Sequence, residues 1–143
     1  MKSIIALLVL GVVFAGPVHA QDATKDATAA YAAWDEAFNS HDPVVLSSSY
    51  ADDALFLAPD HVVRKGPDNV KEFFGGLFKN GVTGHKLTLI EAGGDGNLVY
   101  ATAKWKAQAK GSDGAMSEIG GIGTHIFERQ QDGALKLKLH TFN

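Results

Sequence analysis

YAAWDEAFNSHDPVVLSSSYADDALFLA, residues 31–58, decides how the rest of this chain is read. Its first part continues a stripe of Ala27, Ala30, Tyr31, Trp34 and Phe38, with Ala37 beside it. Spacings of three and four place these groups on one helical face and leave Lys25, Asp35, Glu36 and Asn39 largely on the other. The spacing predicts a helix from about Asp26 that ends near Asn39-Ser40-His41. Asp42 is then a good N-cap and Pro43 a natural first residue for a second, short helix. Val44, Val45, Leu46 and Tyr50 are expected to carry that helix into the core. Ala54–Ala58 (ALFLA) is a short apolar run between Asp52-Asp53 and Pro59-Asp60 and reads as a strand.

Downstream, His61–Lys65 forms a small strand or a loop that could cover a cavity mouth, and Pro67 starts a third helix after Gly66. Val70, Phe73, Phe74, Leu77 and Phe78 fall at helical spacing, and Asn80-Gly81 is a stop. The remainder is β-rich. His85–Ala92 leads into the turn Gly93-Gly94-Asp95-Gly96, and Leu98–Ala109 alternates cleanly, with Val99, Ala101, Ala103, Trp105, Ala107 and Ala109 on one face. Met116–Arg129 is a further strand whose Gly120, Gly121 and Gly123 suggest a bulge or strong bend. In the last strand Leu135, Leu137 and Leu139 alternate with Lys136, Lys138 and His140. Helices followed by consecutive hairpins make an α+β domain, with three N-terminal helices packed on one face of a strongly bent, mostly antiparallel sheet. Bending the sheet around a helix leaves a conical cavity.

The start of the chain has a different character. Met1-Lys2 is positive, Ile4–Ala15 is nearly unbroken apolar sequence, and Val18-His19-Ala20 supplies small residues for cleavage. This is the layout of a secretory signal peptide over residues 1–20, with residues 21–143 as one mature domain beginning at Gln21. A membrane anchor fits less well, because a bilayer core needs about 20 apolar residues and Pro17 interrupts the run. The expected location is periplasmic or secreted. The chain of 143 residues has no Cys, so a core alone must hold the fold. Loss of the leader removes one Lys and takes the formal charge from −3 to −4. A mildly acidic chain has no general attraction for nucleic acid or anionic membranes, so neither is an expected partner.

The runs Trp34–Asp42 (WDEAFNSHD), Tyr50–Ala54 (YADDA), Gly66–Phe74 (GPDNVKEFF), Asn97–Trp105 (NLVYATAKW) and Glu128–Leu137 (ERQQDGALKL) resemble the nuclear transport factor 2-like superfamily. Within it, the chain is most similar to SnoaL-like and small domain-of-unknown-function members that carry a signal peptide. The resemblance covers nearly the whole mature chain and implies a cone-shaped α+β barrel. It also implies a family that includes ketosteroid isomerases, polyketide cyclases, dehydratases and non-enzymatic domains, often dimerising through the sheet. The isomerase pattern is not met: Trp34 stands where a Tyr is needed, Ala58 where the general-base Asp precedes Pro59, and no carboxylate stands near Thr124 and His125.

The expected ligand-binding set is Tyr31, Trp34, Phe56, Phe73 and Trp105, suited to a small apolar or amphipathic molecule. Each is equally an ordinary core aromatic, and the alanines around Trp105 leave room either for a ligand or for a crossing helix. His125 and Asp53 are the candidate catalytic groups of an isomerase-, cyclase- or dehydratase-type enzyme. The competing reading makes Asp52-Asp53 turn polarity and His125 a structural or surface residue, and the nearby glycines leave its face open. His85 and His140 are expected to face solvent. The histidines show no metal-ligand spacing, and no cofactor motif is present: Gly120–Gly123 lacks the Lys-Ser/Thr of a phosphate loop, and Ser47-Ser48-Ser49 lacks a nucleophile turn. A dimerising assembly domain without ligand is the third reading.

Overall fold

The computed structural model describes residues 18–143, and side chains from Ala23 onward. The leader expected over residues 1–20 lies, up to residue 17, outside the described residues. Three helices, α1 (Val18–Asn39), α2 (Pro43–Ser47) and α3 (Gly66–Lys79), pack on six strands. These are β1 (Tyr50–Leu57), β2 (Val63–Lys65), β3 (Thr83–Gly94), β4 (Leu98–Lys110), β5 (Met116–Arg129) and β6 (Leu135–Phe142). They form one curved, unclosed sheet in the order β2-β1-β6-β5-β4-β3, antiparallel except for the β1–β6 pair. The expected α+β cone is the observed fold.

Helix α1 begins earlier than the aromatic stripe suggests, because Ala23 extends the line of Ala27 and Tyr31 one turn back and is buried with them. At its other end Asp42 caps α2, accepting from Val44 N at 2.8 Å and Val45 N at 3.2 Å, with Pro43 at the first helical position. Leu46 and Ser47 of α2, and Tyr50 at the start of β1, are buried. Val44 and Val45 are exposed, contrary to expectation, since five residues give a single turn that can turn one side inward.

Strand β3 is a sheet edge, and its free backbone groups need partners. Helix α1 supplies them. Asn39 accepts from His85 N at 2.8 Å and donates to His85 O at 2.9 Å, while Asp35 accepts from Leu87 N at 3.0 Å. Four residues of helix advance about 6 Å and two residues of strand about 6.8 Å. Side chains at i and i+4 therefore meet backbone groups at j and j+2, and the helix completes the edge. Asp35, expected on the solvent face, is buried for this reason.

The register explains which side chains enter the cone. The β4–β5 pairing runs unbroken from Leu98↔Glu128 to Lys110↔Met116, so Gly120, Gly121 and Gly123 introduce no bulge. They permit close approach instead: a Cβ at Gly121 would meet the Asn143 carbonyl oxygen at 2.1 Å. The bulge lies on β6, where Ile126 pairs Leu139 and Phe127 pairs Leu137, leaving Lys138 as the extra residue. One extra residue reverses the faces beyond it, so Leu139 turns outward and His140 and Phe142 turn inward. The simple alternation expected for β6 fails at this point.

Replacing Asn39 by Ala leaves the His85 backbone groups at the edge without their partners. We expect a loss of about 1–3 kcal/mol in urea unfolding, with Asn39→Asp recovering less than half, because a carboxylate can accept but not donate.

Candidate functional site

Helices and sheet enclose a cavity of about 230 Å³ inside the cone. Trp34 and Phe38 of α1, Phe73, Phe74 and Leu77 of α3, and Leu87, Trp105, Ala107 and Phe142 of the sheet form its apolar wall. Asp60 and Ile119, both partly open to solvent, stand at the rim. Small residues help make this space: Ala107 lines it from β4 and Gly123 from β5, and Gly121 stands opposite Trp105. A larger residue at Gly123 would meet the His125 ring, since a Cβ there would lie 2.9 Å from its Cε1.

Of the residues singled out from sequence, Trp34, Phe73 and Trp105 line the cavity. Tyr31 and Phe56 stand behind the wall: Tyr31 holds His125, and Phe56 packs on Phe73 and His140 with ring centroids at 4.9 and 5.1 Å. His125 is on the concave face and lines the cavity. Asp53 is exposed and bonded to Lys138 Nζ at 2.6 Å, away from the cavity lining. Lys138, which lowers the Asp53 carboxyl below its ordinary range, acts first through that hydrogen bond.

Two residues expected at the surface belong to the site. His85 is only 8% exposed and His140 only 5%, and both line the cavity with His125, itself 3% exposed. His140 is brought inward by the β6 bulge. His85 shares its face with Leu87 and Leu89, an alternation legible in the sequence once β3 is known to begin at Thr83. Asp35 was also findable, because it falls four residues after Tyr31 on the buried line of α1.

Each of the three imidazoles is held through Nδ1. Tyr31 Oη lies 2.7 Å from His125 Nδ1, Tyr50 Oη 2.7 Å from His140 Nδ1, and Asp35 Oδ1 2.7 Å from His85 Nδ1. The His125 and His140 rings are 4.5 Å apart, and Trp34 packs against both His85 (4.7 Å) and His140 (5.8 Å). Among the described residues no group of His, Asp or Glu converges as a metal ligand set.

Burial favours the uncharged forms of Tyr31, Tyr50, His125 and His140. It pushes both phenols, Tyr31 and Tyr50, above their ordinary range. Trp34 approaches the Tyr50 hydroxyl closely enough to offset this slightly, yet its indole N–H has no partner of hydrogen-bond geometry. Burial also pushes the His125 imidazole down to about 4; a charge on His85 adds to this and the Ala101 carbonyl opposes it. His140 is held well below its ordinary value by burial first, then by any charge on His125 or His85.

These shifts set the acid sensitivity of the fold. Between its ordinary value of 6.5 and about 4, His125 binds a proton in the unfolded chain but not in the folded one. Stability is therefore lost as pH falls through that window, by about 3 kcal/mol for a shift of this size. His140 acts in the same direction. Thermal melts from pH 7.5 to 4 should show a falling Tm, with a shallower slope in His125→Gln. An unchanged slope in that variant would exclude His125 as a source.

The profile of the SnoaL-like domain family matches residues 27–137. No curated protein sequence matches the chain. Among solved structures, a ketosteroid isomerase-like protein from Erwinia carotovora atroseptica is 16% identical with a TM-score of 0.73, covering 82% of this chain and 92% of that one. A conserved protein from Planctomyces limnophilus is 22% identical with a TM-score of 0.70, covering 85% and 94%. A nuclear transport factor 2-like superfamily protein from Salmonella enterica serovar Typhimurium is 14% identical with a TM-score of 0.69, covering 86% and 91%. At these identities the likeness shows the fold alone. The matched profile covers most of the sequence, from within α1 to the start of β6, and the chain belongs to the SnoaL-like domain family.

Proposed function

We propose that this is an exported domain that binds a small, largely apolar molecule inside its cone. The observation that carries this reading is the cavity of about 230 Å³ walled by Trp34, Phe73, Phe74, Trp105 and Phe142. A dry apolar cavity of about 150 Å³ is enough to hold benzene, so the space suits a single substituted ring. Export rests on the charged, apolar and small-residue order of residues 1–20. If two copies pair, the outer sheet face offers exposed Leu98, Tyr100 and Ile122 for the contact.

A second reading, an enzyme that moves a proton on a carbonyl-bearing substrate, is favoured by one observation. His85, held by Asp35, and His125 share the same cavity wall, an arrangement suited to taking up and returning a proton. Asp53 lies outside that wall and lends it no support.

Protein expressed with its leader in an exporting host should begin at Gln21, and its native mass spectrum should show a bound small molecule and the oligomeric state. Ala107→Leu fills the cavity from β4 and should weaken binding of ethylbenzene at least about tenfold while leaving the melting cooperative. Unchanged affinity in that variant would remove the cavity as the binding place. For the enzymatic reading, NMR in D₂O should record faster α-proton exchange in simple aryl ketones, lost in His125→Ala and kept in Asp53→Asn. No acceleration for any ketone would leave binding alone.

A further inference from the structure

The three histidines differ in what they can offer a ligand, and the difference follows from what holds each Nδ1. Asp35 is a carboxylate that also accepts from Leu87 N–H, so it can only accept from the His85 ring. His85 Nδ1 is therefore the donor, and neutral His85 carries a lone pair on Nε2. Tyr31 and Tyr50 retain their hydrogens, because burial opposes phenolate. Among the described residues neither hydroxyl has another acceptor of hydrogen-bond geometry. Each phenol therefore donates to its histidine. A phenol hydrogen left without an acceptor in this interior would cost the full desolvation of the group. Neutral His125 and His140 then carry their hydrogens on Nε2.

None of the three Nε2 atoms has a hydrogen-bond partner among the described residues, and all three rings line the cavity. The Ala101 carbonyl stands close enough to the His125 ring to favour its protonated form. The wall thus presents two donors from rings 4.5 Å apart, and one acceptor on His85, which packs against Trp34 at 4.7 Å. The sole sealed polar side-chain atom without a partner among the described residues is Trp34 Nε1, so Trp34 gives the site its ring face and no donor.

We infer that the cavity is encoded for a single-ring hydroxy-carbonyl compound, its carbonyl oxygen taken by His125 and His140 and its hydroxyl donated to His85. This inference rests on the ligand-binding reading and gives it a chemical class. Two N–H donors on neighbouring rings suit the two lone pairs of one carbonyl oxygen, and the aromatic lining of the same cavity suits a ring. A purely apolar guest would leave three ring nitrogens unpaired, and that is the source of the discrimination.

The test has two arms that fail separately. Long-range ¹⁵N NMR of the unliganded protein near pH 7 should show Nε2–H tautomers for His125 and His140, and an Nδ1–H with a bare Nε2 for His85. The opposite tautomer at His125 and His140 overturns the inference. Calorimetry with ethylbenzene, acetophenone, 4-ethylphenol and both 3- and 4-hydroxyacetophenone reads the second arm. One of the hydroxyacetophenones should bind at least about tenfold tighter than ethylbenzene, with the single-function compounds between. Tyr31→Phe, which frees the His125 tautomer with little change of shape, should reduce the acetophenone gain and leave ethylbenzene unchanged. His85→Phe should abolish only the hydroxyl gain. Equal affinity for ethylbenzene and the hydroxyacetophenones would overturn the hydrogen-bond code while the apolar site stands. Binding of none of the five would overturn both.

Discussion

One carboxylate ties the first helix to the edge of the sheet, and the cone depends on that tie. Asp35 takes Leu87 N–H and His85 Nδ1 together, while Asn39, one turn on, takes both backbone groups of His85. An exposed edge strand invites pairing with other chains, and here a helix occupies it with side chains that act as the next strand would. The same contacts fix the height of α1 across the concave face. That height sets where Trp34 lies and how much space remains beneath it.

The site follows from solving a second burial problem. Three imidazoles in an apolar interior are costly unless each is hydrogen-bonded. Two phenols and one carboxylate meet that requirement through Nδ1. All three partners use the same ring nitrogen, so none of them engages Nε2 of these cavity-lining rings. Polarity is therefore concentrated at a few positions in an aromatic wall, the usual composition of a small-molecule site. The Lys138–Asp53 and Arg64–Asp60 pairs, by contrast, lie toward solvent and contribute little.

Departure from the isomerase pattern takes on a physical form in this arrangement. Ala58, where the isomerase pattern has its base, lines the cavity with a methyl group, and Trp34 offers its ring with its N–H sealed away. The polar groups that remain come from β3, β5 and β6. They are spread over the sheet wall, so the cone is retained while its polar groups stand elsewhere. Fold membership consequently says little about activity here, and the side chains on the concave face say more.

Much of the architecture was legible from local pattern. The stripe through Ala27, Tyr31, Trp34 and Phe38, the Asp42-Pro43 helix start and the period of two in β4 each follow from backbone geometry a few residues long. That Tyr31, Trp34, Phe73 and Trp105 are inward-facing or inward-supporting aromatics follows from the same periodicities. Tertiary structure decided the polar part of the site. His140 enters the cone only because Lys138 is bulged, a register event set by pairing with β5 and invisible within β6 itself. His125 keeps its inward face because Gly120 to Gly123 pair without a slip, which glycine composition alone leaves open. Asp35 is buried because an edge strand lies beside it. Local spacing determines which face of an element is apolar; only the pairing of distant segments determines which polar side chains are turned inward with it, and whether a partner waits there.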